Sequence, residues 1–428
     1  MEIQIISKEI IKPSSPTPQH LKIYSLSLLH QIAPPVYVPV ILFYSSHSDT
    51  NLNFSKHLKQ SFSKTLTDYY PLAGRINDDY FSIDCNDSGA SYTEVNVLSG
   101  EMSMVIQESN IHHLEKLLPC SPYDMLPDIS SQEMLKAQVS YFAFGGIAIS
   151  ICVWHVIGDA MSAASFITNW AAIANKYTNG DGGNGNLNDI VLDCTSLFPP
   201  REIQSFLWRN FMTDKRRNNI SMKQFVFDGS KIATLRDEVG KVGPSFKHPT
   251  RVEAVGALIW KAVMAATGKA YIAAIVVDLR KRVSPPLPSN CIGNINQMTF
   301  AVDSNWRTDY NSLAGKIHES IRMIDDEYIK KIHGGGGYLE HVQALADRDS
   351  DSPGWLKQFS ISSWCKFPFY EADFGWGKPI WVTTALINTS AFLLDTKDGE
   401  GMECWIGLPK EEMPKFEHHP DICLYASF

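Results

Sequence analysis

The segment WHVIGDAMSAASFITNW, from Trp154 to Trp170, places a histidine and an aspartate four residues apart where the sequence pattern changes. Residues 135–155 are rich in β-branched and aromatic side chains and are interrupted by two glycines, which predicts a hairpin whose second strand ends at His155. After Gly158 the apolar residues recur with helical spacing as far as Lys176. The sequence therefore predicts that His155 stands at the carboxyl end of a strand and that a helix follows.

An imidazole is well suited to take a proton near neutral pH, because its unperturbed pKa is about 6.5. His155 is therefore a candidate general base. If residues 155–159 were helical, Asp159 would share a face with His155 and could orient the ring. The alternative is a structural core histidine beside an aspartate that caps the helix. The spacing alone leaves both interpretations open.

Other chemistries have less support in the sequence. Cys152 lies three residues before His155 on a strand, so the two side chains point to opposite faces, which disfavours a thiol acyl-enzyme. Motifs of serine hydrolases, phosphate loops and dinucleotide-binding loops do not occur. The pairs His112-His113 and His418-His419 lack a ligand-like register to His155 and Asp159, so we expect no metal site.

The composition is that of a globular protein, with 44% hydrophobic and 20% charged residues, and a length of 428 residues suits two domains of roughly 200 residues. The net charge is -8 and no basic cluster is longer than residues 215–217, so the sequence gives no indication of a basic surface that binds nucleic acid.

Eight cysteines without C-x-x-C pairs indicate reduced thiols and a cytoplasmic location. No secretory signal is recognised at the beginning of the sequence, and the longest apolar runs, 143–154 and 255–277, are too short or interrupted by lysines. The sequence therefore predicts no membrane partner.

Strand and helix patterns alternate along the chain, which predicts an α/β fold. Residues 36–44 are β-rich, residues 53–70 carry a helical apolar stripe, and residues 250–265 and 272–277 indicate a helix and a buried strand. A Gly- and Asn-rich stretch at 175–189, followed by two prolines, indicates a crossover. We therefore predict an N-terminal domain at 1–176, a crossover linker at 177–218 and a C-terminal domain at 219–428, the last carrying the DFGWG stretch.

The stretch DFGWGKP, residues 373–379, brackets an indole with two glycines. Such a turn allows the backbone and the ring to approach another group closely. The alternative is a tight loop that Trp376 anchors in the core while Asp373 binds its own backbone amides.

Five blocks of the chain, taken in their order and spacing, resemble those of the plant BAHD acyltransferases, which transfer acyl groups from coenzyme A thioesters to alcohols or amines. The resemblance covers essentially the whole chain. Within the family the chain is most similar to the alkaloid O-acetyltransferase branch that contains vinorine synthase. The blocks are YYPLAGR (residues 69–75), His155-x-x-x-Asp159 with Ser162, Phe166 and Trp170, residues 278–294, DFGWGKP, and residues 393–408.

The resemblance implies two α/β domains of the chloramphenicol acetyltransferase type, joined by a long crossover loop, with the active-site channel at their interface. It implies that His155 is the general base in that channel and that the acceptor attacks the thioester directly, without an acyl-enzyme. Asp159 then becomes structural and pairs with Arg280, an arrangement that suits a bidentate ion pair. The helical-face pair of His155 and Asp159 is the second choice.

The resemblance also assigns further residues. Trp376 is expected near the developing oxyanion, where its indole N–H could donate, while Asp373 and Gly375 are expected to be architectural. Thr250 and Arg251 resemble residues that line the coenzyme A side, and a helix N-terminus favours phosphate. The alternative for these two is an ordinary helix cap and a solvated arginine.

The chain departs from the family pattern at two places. His30 stands where many members carry an aspartate after the motif LS-x-L, and we assign it no catalytic role. Cys291-Ile292 precedes the Gly-Asn pair in place of the aromatic-bearing motif of the malonyl-transferring anthocyanin branch. The second departure favours acetyl over malonyl transfer.

We therefore predict a monomeric, cytoplasmic O-acetyltransferase that takes acetyl-CoA as co-substrate and an alcohol of a plant specialised metabolite, with an alkaloid as the leading acceptor class. The alternatives within enzymes are a malonyl or aromatic acyl donor, or a terpenoid or phenolic acceptor. The alternative outside enzymes is a catalytically silent binding protein. The presence of His155, Asp159 and Arg280 argues against it, since a silent protein has no need of a base.

Overall fold

The structure is a computed structural model that describes residues 1–45, 52–77, 81–178, 190–202, 217–241, 246–303, 305, 307–335, 337, 340 and 357–428. Its contacts divide the chain into two compact units. The first comprises Met1–Trp208, Leu287–Ile295 and Phe367–Leu386. The second comprises Arg209–Pro286, Asn296–Lys366 and Ile387–Phe428.

The β-strands are numbered along the chain: β1 Ile3–Ile11, β2 Ile23–Ser25, β3 Tyr37–Tyr44, β4 Arg75–Ile76, β5 Ser82–Asp84, β6 Ala90–Val97, β7 Leu135–Phe142, β8 Ile147–Trp154, β9 Ile220–Phe227, β10 Tyr271–Asp278, β11 Asn296–Asp303, β12 Lys357–Ser363, β13 Trp381–Thr383, β14 Ser390–Asp395 and β15 Met402–Pro409.

The α-helices are numbered in the same way: α1 Leu28–Gln31, α2 Leu52–Asp68, α3 Met102–Glu108, α4 Ile111–Glu115, α5 Ala160–Thr178, α6 Gly229–Lys241, α7 Arg251–Thr267, α8 Tyr310–Arg322, α9 Asp326–Gly335, α10 Met413–Glu417 and α11 Pro420–Tyr425.

The first unit is built on a mixed sheet with the strand order β1-β6-β7-β8-β3-β13. Every residue of β8 is buried, which explains why its sequence is a nearly continuous apolar run. Helices α2 and α5 pack against each other, and the ring of Phe62 in α2 lies 5.8 Å from Phe166 and 5.0 Å from Trp170 in α5. This aromatic cluster holds α5, which begins just beyond the end of β8.

The second unit has a sheet with the order β11-β10-β12-β14-β15-β9, and α7 packs against α6 and α8. The buried face of α7 includes Trp260, whose indole N–H donates to the Tyr271 carbonyl at 2.8 Å and so ties the helix to the first residue of β10. The prediction of two α/β domains is confirmed by these two mixed sheets.

The contacts divide the chain differently from the linear division predicted above. Trp381 of β13 pairs with Phe43 of β3, so residues 367–386 and the DFGWG stretch within them belong to the first unit and not to a C-terminal domain. Residues 287–295 join the first unit as well. Pairing between segments hundreds of residues apart leaves no local pattern, which is why the sequence did not indicate it.

The predicted hairpin at 135–155 is observed as the antiparallel pair β7–β8. Of the predicted crossover at 177–218, residues 179–189 and 203–216 lie outside the described residues, and its boundaries stay a prediction.

Among the helices that the structure describes, none is long and apolar enough to cross a membrane. In the same residues, no three or more His, Cys, Asp or Glu side chains gather where they could hold a metal ion.

Candidate active site

His155 stands in the turn that leads from β8 to α5, as the sequence predicted. Its backbone N–H donates to the carbonyl of Val36 at 2.8 Å, and the N–H of Ile157 closes the turn on the carbonyl of Trp154 at 2.9 Å. The side chain is half-buried. The turn is therefore held by the strand ends on either side of it, and it presents the imidazole from a rigid position.

The side chain of Asn294 determines which nitrogen of His155 can act as a base. Its amide nitrogen donates to the carbonyl of His155 and, at 3.4 Å, to that of Val156. Its amide oxygen is therefore the atom that lies 2.9 Å from Nδ1 of His155. Because that oxygen only accepts hydrogen bonds, Nδ1 must carry the ring proton and Nε2 must hold the free lone pair.

The surroundings of His155 also set its charge. Burial lowers the pKa of His155 below 6.5, and it outweighs the opposing effects of the residue's own backbone, the Asp159 carboxylate and Asn294. The ring is consequently neutral at physiological pH. A neutral imidazole with a free lone pair on Nε2 is the form that a general base requires.

Asp159 caps α5 and does not orient His155. One carboxylate oxygen accepts hydrogen bonds from the backbone N–H and the hydroxyl of Ser162, both at 2.9 Å. The other accepts from the backbone N–H of Ile295 at 3.2 Å. Residues 155–159 form a turn rather than a helix, and Nδ1 of His155 faces Asn294. The helical-face pair of His155 and Asp159 is therefore wrong, and Asp159 is an N-cap that also ties residues 293–295 to the helix.

The predicted partner of Asp159, Arg280, belongs to the second unit, and the ion pair between them stays a prediction. Arg280 is buried, and its Nη1 lies 2.9 Å from a carboxylate oxygen of Asp278.

Gly293 and Ser162 complete the link between the turn that carries His155 and residues 293–295. The backbone N–H of Gly293 donates to the Ser162 hydroxyl at 3.0 Å, and the backbone N–H of Asp159 donates to the Gly293 carbonyl at 3.3 Å. Gly293 has φ +142°, and a Cβ there would lie 2.9 Å from the His30 ring and 3.0 Å from the sulfur of Cys194. Only glycine suits this position.

Asn294 and Gly293 were not assigned to the site from the sequence. Asn294 is the last residue of the block 278–294, one of the five blocks that resemble the family. Asn294 is 139 residues from His155, and no spacing connects the two. The one available signal was the Gly-Asn pair itself, since a glycine with positive φ beside a polar residue is typical of a backbone that approaches another group closely.

Trp376 lies far from His155 within the same unit. The carbonyls of Asp373 and Phe374 accept from Asn175 at 3.2 Å and from Thr178 at 3.3 Å, at the carboxyl end of α5. The 19 residues of α5 span about 27 Å, and His155 precedes its other end.

The strands place Trp376 in the same way. Its ring lies 5.9 Å from that of Tyr44, which pairs with Ile147, whereas Trp154 at the other end of β8 pairs with Tyr37. The structure therefore contradicts the prediction that Trp376 stands near the developing oxyanion. Trp376 instead packs in an aromatic cluster with Phe54, at 4.5 Å, and Phe374, at 5.3 Å.

The contacts of Asp373 and Gly375 are those of a tight loop. One carboxylate oxygen of Asp373 accepts from the backbone N–H groups of Gly375 at 2.8 Å and Gly377 at 2.9 Å. Gly375 has φ +105°, and a Cβ there would lie 2.8 Å from Thr178. The loop thus closes on its own amides and fits tightly against the last residue of α5.

Thr250 and Arg251 open α7 in the second unit. Thr250 is its N-cap and forms a capping box with Glu253, which matches the helix-cap alternative. Arg251 is not simply solvated, because its Nη2 lies 2.7 Å from Asp395 and its Nη1 donates to the carbonyls of Gly399, Glu400 and Gly401. These contacts bind the turn between β14 and β15. A role toward coenzyme A stays a prediction for both residues.

Comparisons with known proteins identify the family of the chain. A family model described as the Transferase family matches residues 1–422. The chain is 42% identical to the limonoid 1-O-acetyltransferase of Citrus sinensis over 100% of this chain and 99% of that protein. It is 38% identical to the stemmadenine O-acetyltransferase of Catharanthus roseus over 96% and 95%.

The fold is also that of a solved structure. The crystal structure of vinorine synthase superimposes with a TM-score of 0.81 at 33% identity, over 100% of this chain and 99% of that one. The family match, these relatives and this fold show that the chain belongs to the BAHD family of acyl-CoA-dependent acyltransferases.

Proposed function

We propose that the protein transfers the acetyl group of acetyl-CoA to a hydroxyl group of a polycyclic plant metabolite, with His155 as the general base. The observation that carries the proposal is the fixed tautomer of His155, whose Nε2 holds a free lone pair because Asn294 accepts the proton of Nδ1. Burial keeps the ring neutral by lowering its pKa.

The reaction follows from this arrangement. Nε2 of His155 takes the proton of the acceptor hydroxyl as its oxygen attacks the thioester carbonyl, and the hydrogen bond from Nδ1 to Asn294 stabilises the imidazolium that forms. The tetrahedral intermediate collapses with cleavage of the C–S bond, and the leaving thiolate takes the proton back from His155. The products are the ester and free coenzyme A, and no acyl-enzyme is formed.

The choice of acetyl as the acyl group is supported by the relatives. Both enzymes compared above are named O-acetyltransferases. Cys291-Ile292, which stands in place of the motif of the malonyl-transferring branch, favours the same donor.

For the acceptor, the limonoid 1-O-acetyltransferase favours a limonoid alcohol, because its identity of 42% exceeds the 38% of the stemmadenine O-acetyltransferase. An alkaloid alcohol, the class predicted from the sequence, is the second candidate, and the stemmadenine enzyme and the fold of vinorine synthase support it. A cytosolic location is proposed on the scattered cysteines alone, and the monomeric state stays a prediction.

The test is a matrix of acetyl-, malonyl- and benzoyl-CoA against limonoid, alkaloid and phenolic alcohols, with free thiol release and product mass as the readouts. We expect thiol release with acetyl-CoA and a product heavier than the acceptor by one acetyl group. His155→Ala should lower turnover by about 10²- to 10⁴-fold while it keeps the melting temperature.

His112→Ala is the matched control, because His112 is an exposed histidine of the same unit and should turn over normally. Full activity in a folded His155→Ala enzyme would rule out the mechanism. Faster transfer from malonyl- or benzoyl-CoA than from acetyl-CoA would rule out the proposed donor, and a preference for an alkaloid would replace the limonoid acceptor.

A further inference from the structure

The two positions at which the sequence departs from its family pattern, His30 and Cys291, both lie close to Gly293 and Cys194. The ring of His30 and the sulfur of Cys194 both lie about 3 Å from the point where a Cβ of Gly293 would be. The sulfur of Cys194 is 4.0 Å from that of Cys291, two residues before Gly293. Both cysteines are buried, with 1% and 0% of their surfaces exposed.

Backbone contacts hold the two cysteines together. Val191 forms a β-bridge with Cys291, and the N–H of Ile292 donates to the carbonyl of Val191 at 2.8 Å. The thiol of Cys194 donates to the carbonyl of Ile292 at 3.3 Å. The sulfurs are therefore in van der Waals contact, and they belong to two segments that are already paired.

We propose that Cys194 and Cys291 form an oxidisable thiol pair, which closes to a disulfide under hydroperoxide and lowers the activity of the neighbouring catalytic turn. The proposal deepens the proposed function, and its activity readout rests on that function. The disulfide itself can be measured independently.

The oxidation balances with hydrogen peroxide as the co-reactant. The first thiol loses its proton and attacks one peroxide oxygen, which breaks the O–O bond and yields a sulfenic acid and water. The sulfur of the second thiol then attacks the sulfenic sulfur, and the departing hydroxide leaves as water with the second proton. Two thiols and one peroxide thus give one disulfide and two waters, and the two sulfurs supply both electrons.

The His30 ring favours the first step. Its Nδ1 accepts a hydrogen bond from the backbone N–H of Ser27 at 3.2 Å, so the proton of the neutral ring lies on Nε2. Nε2 and Cε1 of the ring both lie 2.9 Å from the position of a Gly293 Cβ, and the sulfur of Cys194 lies 3.0 Å from the same position. An N–H group near a sulfur stabilises the thiolate, which is the reactive form.

Closure would reach the catalytic residue through Asn294. A disulfide needs its sulfurs about 2 Å apart, so the pair must approach by roughly half of its present separation. The closure also removes the hydrogen bond from Cys194 to Ile292. Gly293 and Asn294 follow directly in the chain and hold Asp159 and His155. A displacement of about 1 Å at such a position can lower turnover by about 10²-fold.

The experiment treats the full-length protein with hydrogen peroxide and compares it with Cys194→Ser, which keeps a hydroxyl donor toward the Ile292 carbonyl. In the wild type we expect a peptide cross-link between residues 194 and 291 by mass spectrometry and a loss of acetyl transfer of about 10- to 100-fold, which dithiothreitol restores. Cys194→Ser should turn over normally and resist peroxide.

Cys120→Ser is the matched control, because Cys120 lies against Cys152 in a second close pair. The proposal would be overturned if peroxide sensitivity disappeared in Cys120→Ser but persisted in Cys194→Ser. It would also be overturned if the wild type formed no cross-link, or formed the cross-link without losing activity. If no acyl transfer is detected at all, the proposed function fails separately. In that case the readout is the hydrogen exchange of residues 291–295, which should change on oxidation of the wild type only. An unchanged exchange pattern would refute the proposed effect of the disulfide on this segment.

Discussion

The side-chain oxygen of Asn294 lies 2.9 Å from Nδ1 of His155, although the two residues are 139 positions apart. The amide nitrogen of the same side chain donates to the His155 carbonyl, so Asn294 holds both the ring and the backbone of His155, the proposed general base. It therefore determines the tautomer as well as the position of the His155 ring.

Replacing Asn294 should alter catalysis and its pH dependence. Asn294→Ala removes the acceptor of the Nδ1 proton, and we expect kcat to fall by about 10- to 100-fold, which corresponds to the loss of one or two charge-assisted hydrogen bonds. In the wild type the acid limb of kcat/KM should lie below pH 6.5, since burial lowers the pKa of His155. Asn294→Asp places a negative charge at the ring and should move that limb to higher pH.

The measurement is kcat/KM from pH 5 to 9, with Asn169→Ala as a control, because the side chain of Asn169 on α5 donates to the Tyr69 hydroxyl and not to His155. An unchanged kcat in folded Asn294→Ala, together with an unshifted limb in Asn294→Asp, would remove the positioning role.

Asp159 and Asp309 form a matched pair of helix caps. Each carboxylate accepts hydrogen bonds from the backbone N–H and the hydroxyl of the serine three residues later in the chain. Asp159 is buried and also accepts from the backbone N–H of Ile295, whereas Asp309 is exposed. We expect Asp309→Ala to cost about 1 kcal/mol. Asp159→Ala should cost about 3 kcal/mol, because it leaves buried N–H groups unpaired.

Thermal unfolding of the two variants compares these losses. Equal losses would show that the tie to Ile295 adds nothing. The predicted ion pair is tested by a double-mutant cycle with Arg280→Ala, since a coupling free energy near zero would remove it.

Trp376 should contribute to stability and not to the chemical step. Trp376→Phe keeps an aromatic ring between Phe54 and Phe374, and its kcat is expected to stay within about twofold, since the residue lies about one helix length from His155. Trp376→Ala should cost about 3 kcal/mol of stability. A large fall of kcat in a folded Trp376→Phe enzyme, with KM unchanged, would restore the oxyanion role.

Gly293 and Gly268 both have positive φ, but their surroundings differ. A Cβ at Gly268, with φ +64°, meets nothing within 4 Å, so Gly268→Ala should cost about 1 kcal/mol and leave activity intact. A Cβ at Gly293 meets His30 and Cys194 at about 3 Å, so Gly293→Ala must displace the segment that carries Asn294. We expect more than about tenfold loss of kcat. Steady-state kinetics of the two variants are the measurement. Normal turnover in Gly293→Ala would contradict the close fit of His30 and Cys194 around this position.

His333 should make the second unit sensitive to acid. Burial lowers its pKa to about 4, so the ring is neutral in the folded protein while the unfolded chain takes up a proton below about pH 6.5. Its contribution is constant above pH 6.5, declines by about 3 kcal/mol as the pH falls to 4, and changes no further below that. Urea unfolding at pH 7, 5 and 4 should show this decline, and His333→Gln should flatten it. An equal decline in His333→Gln would assign the effect to other groups.

Much of the local structure could be predicted because its causes are local. The nearly continuous apolar run of β8 and the helical spacing of α5 are properties of neighbouring residues, and they place His155 at a strand end. The predicted pair of His155 and Asp159 failed for a related reason. A spacing of four residues says nothing of a side chain's direction when the residues between form a turn.

The sequence by itself determined the α/β class, the position of His155 between a strand and a helix, and the family, because periodicity and motif order are properties of the chain read along its length. Only the tertiary structure decided that Asn294 orients His155, that Asp159 ties α5 to Ile295, and that Trp376 lies at the far end of the helix. Each of these contacts joins segments far apart in the chain, whose partners are selected by the packing of sheets and helices and leave no local signal.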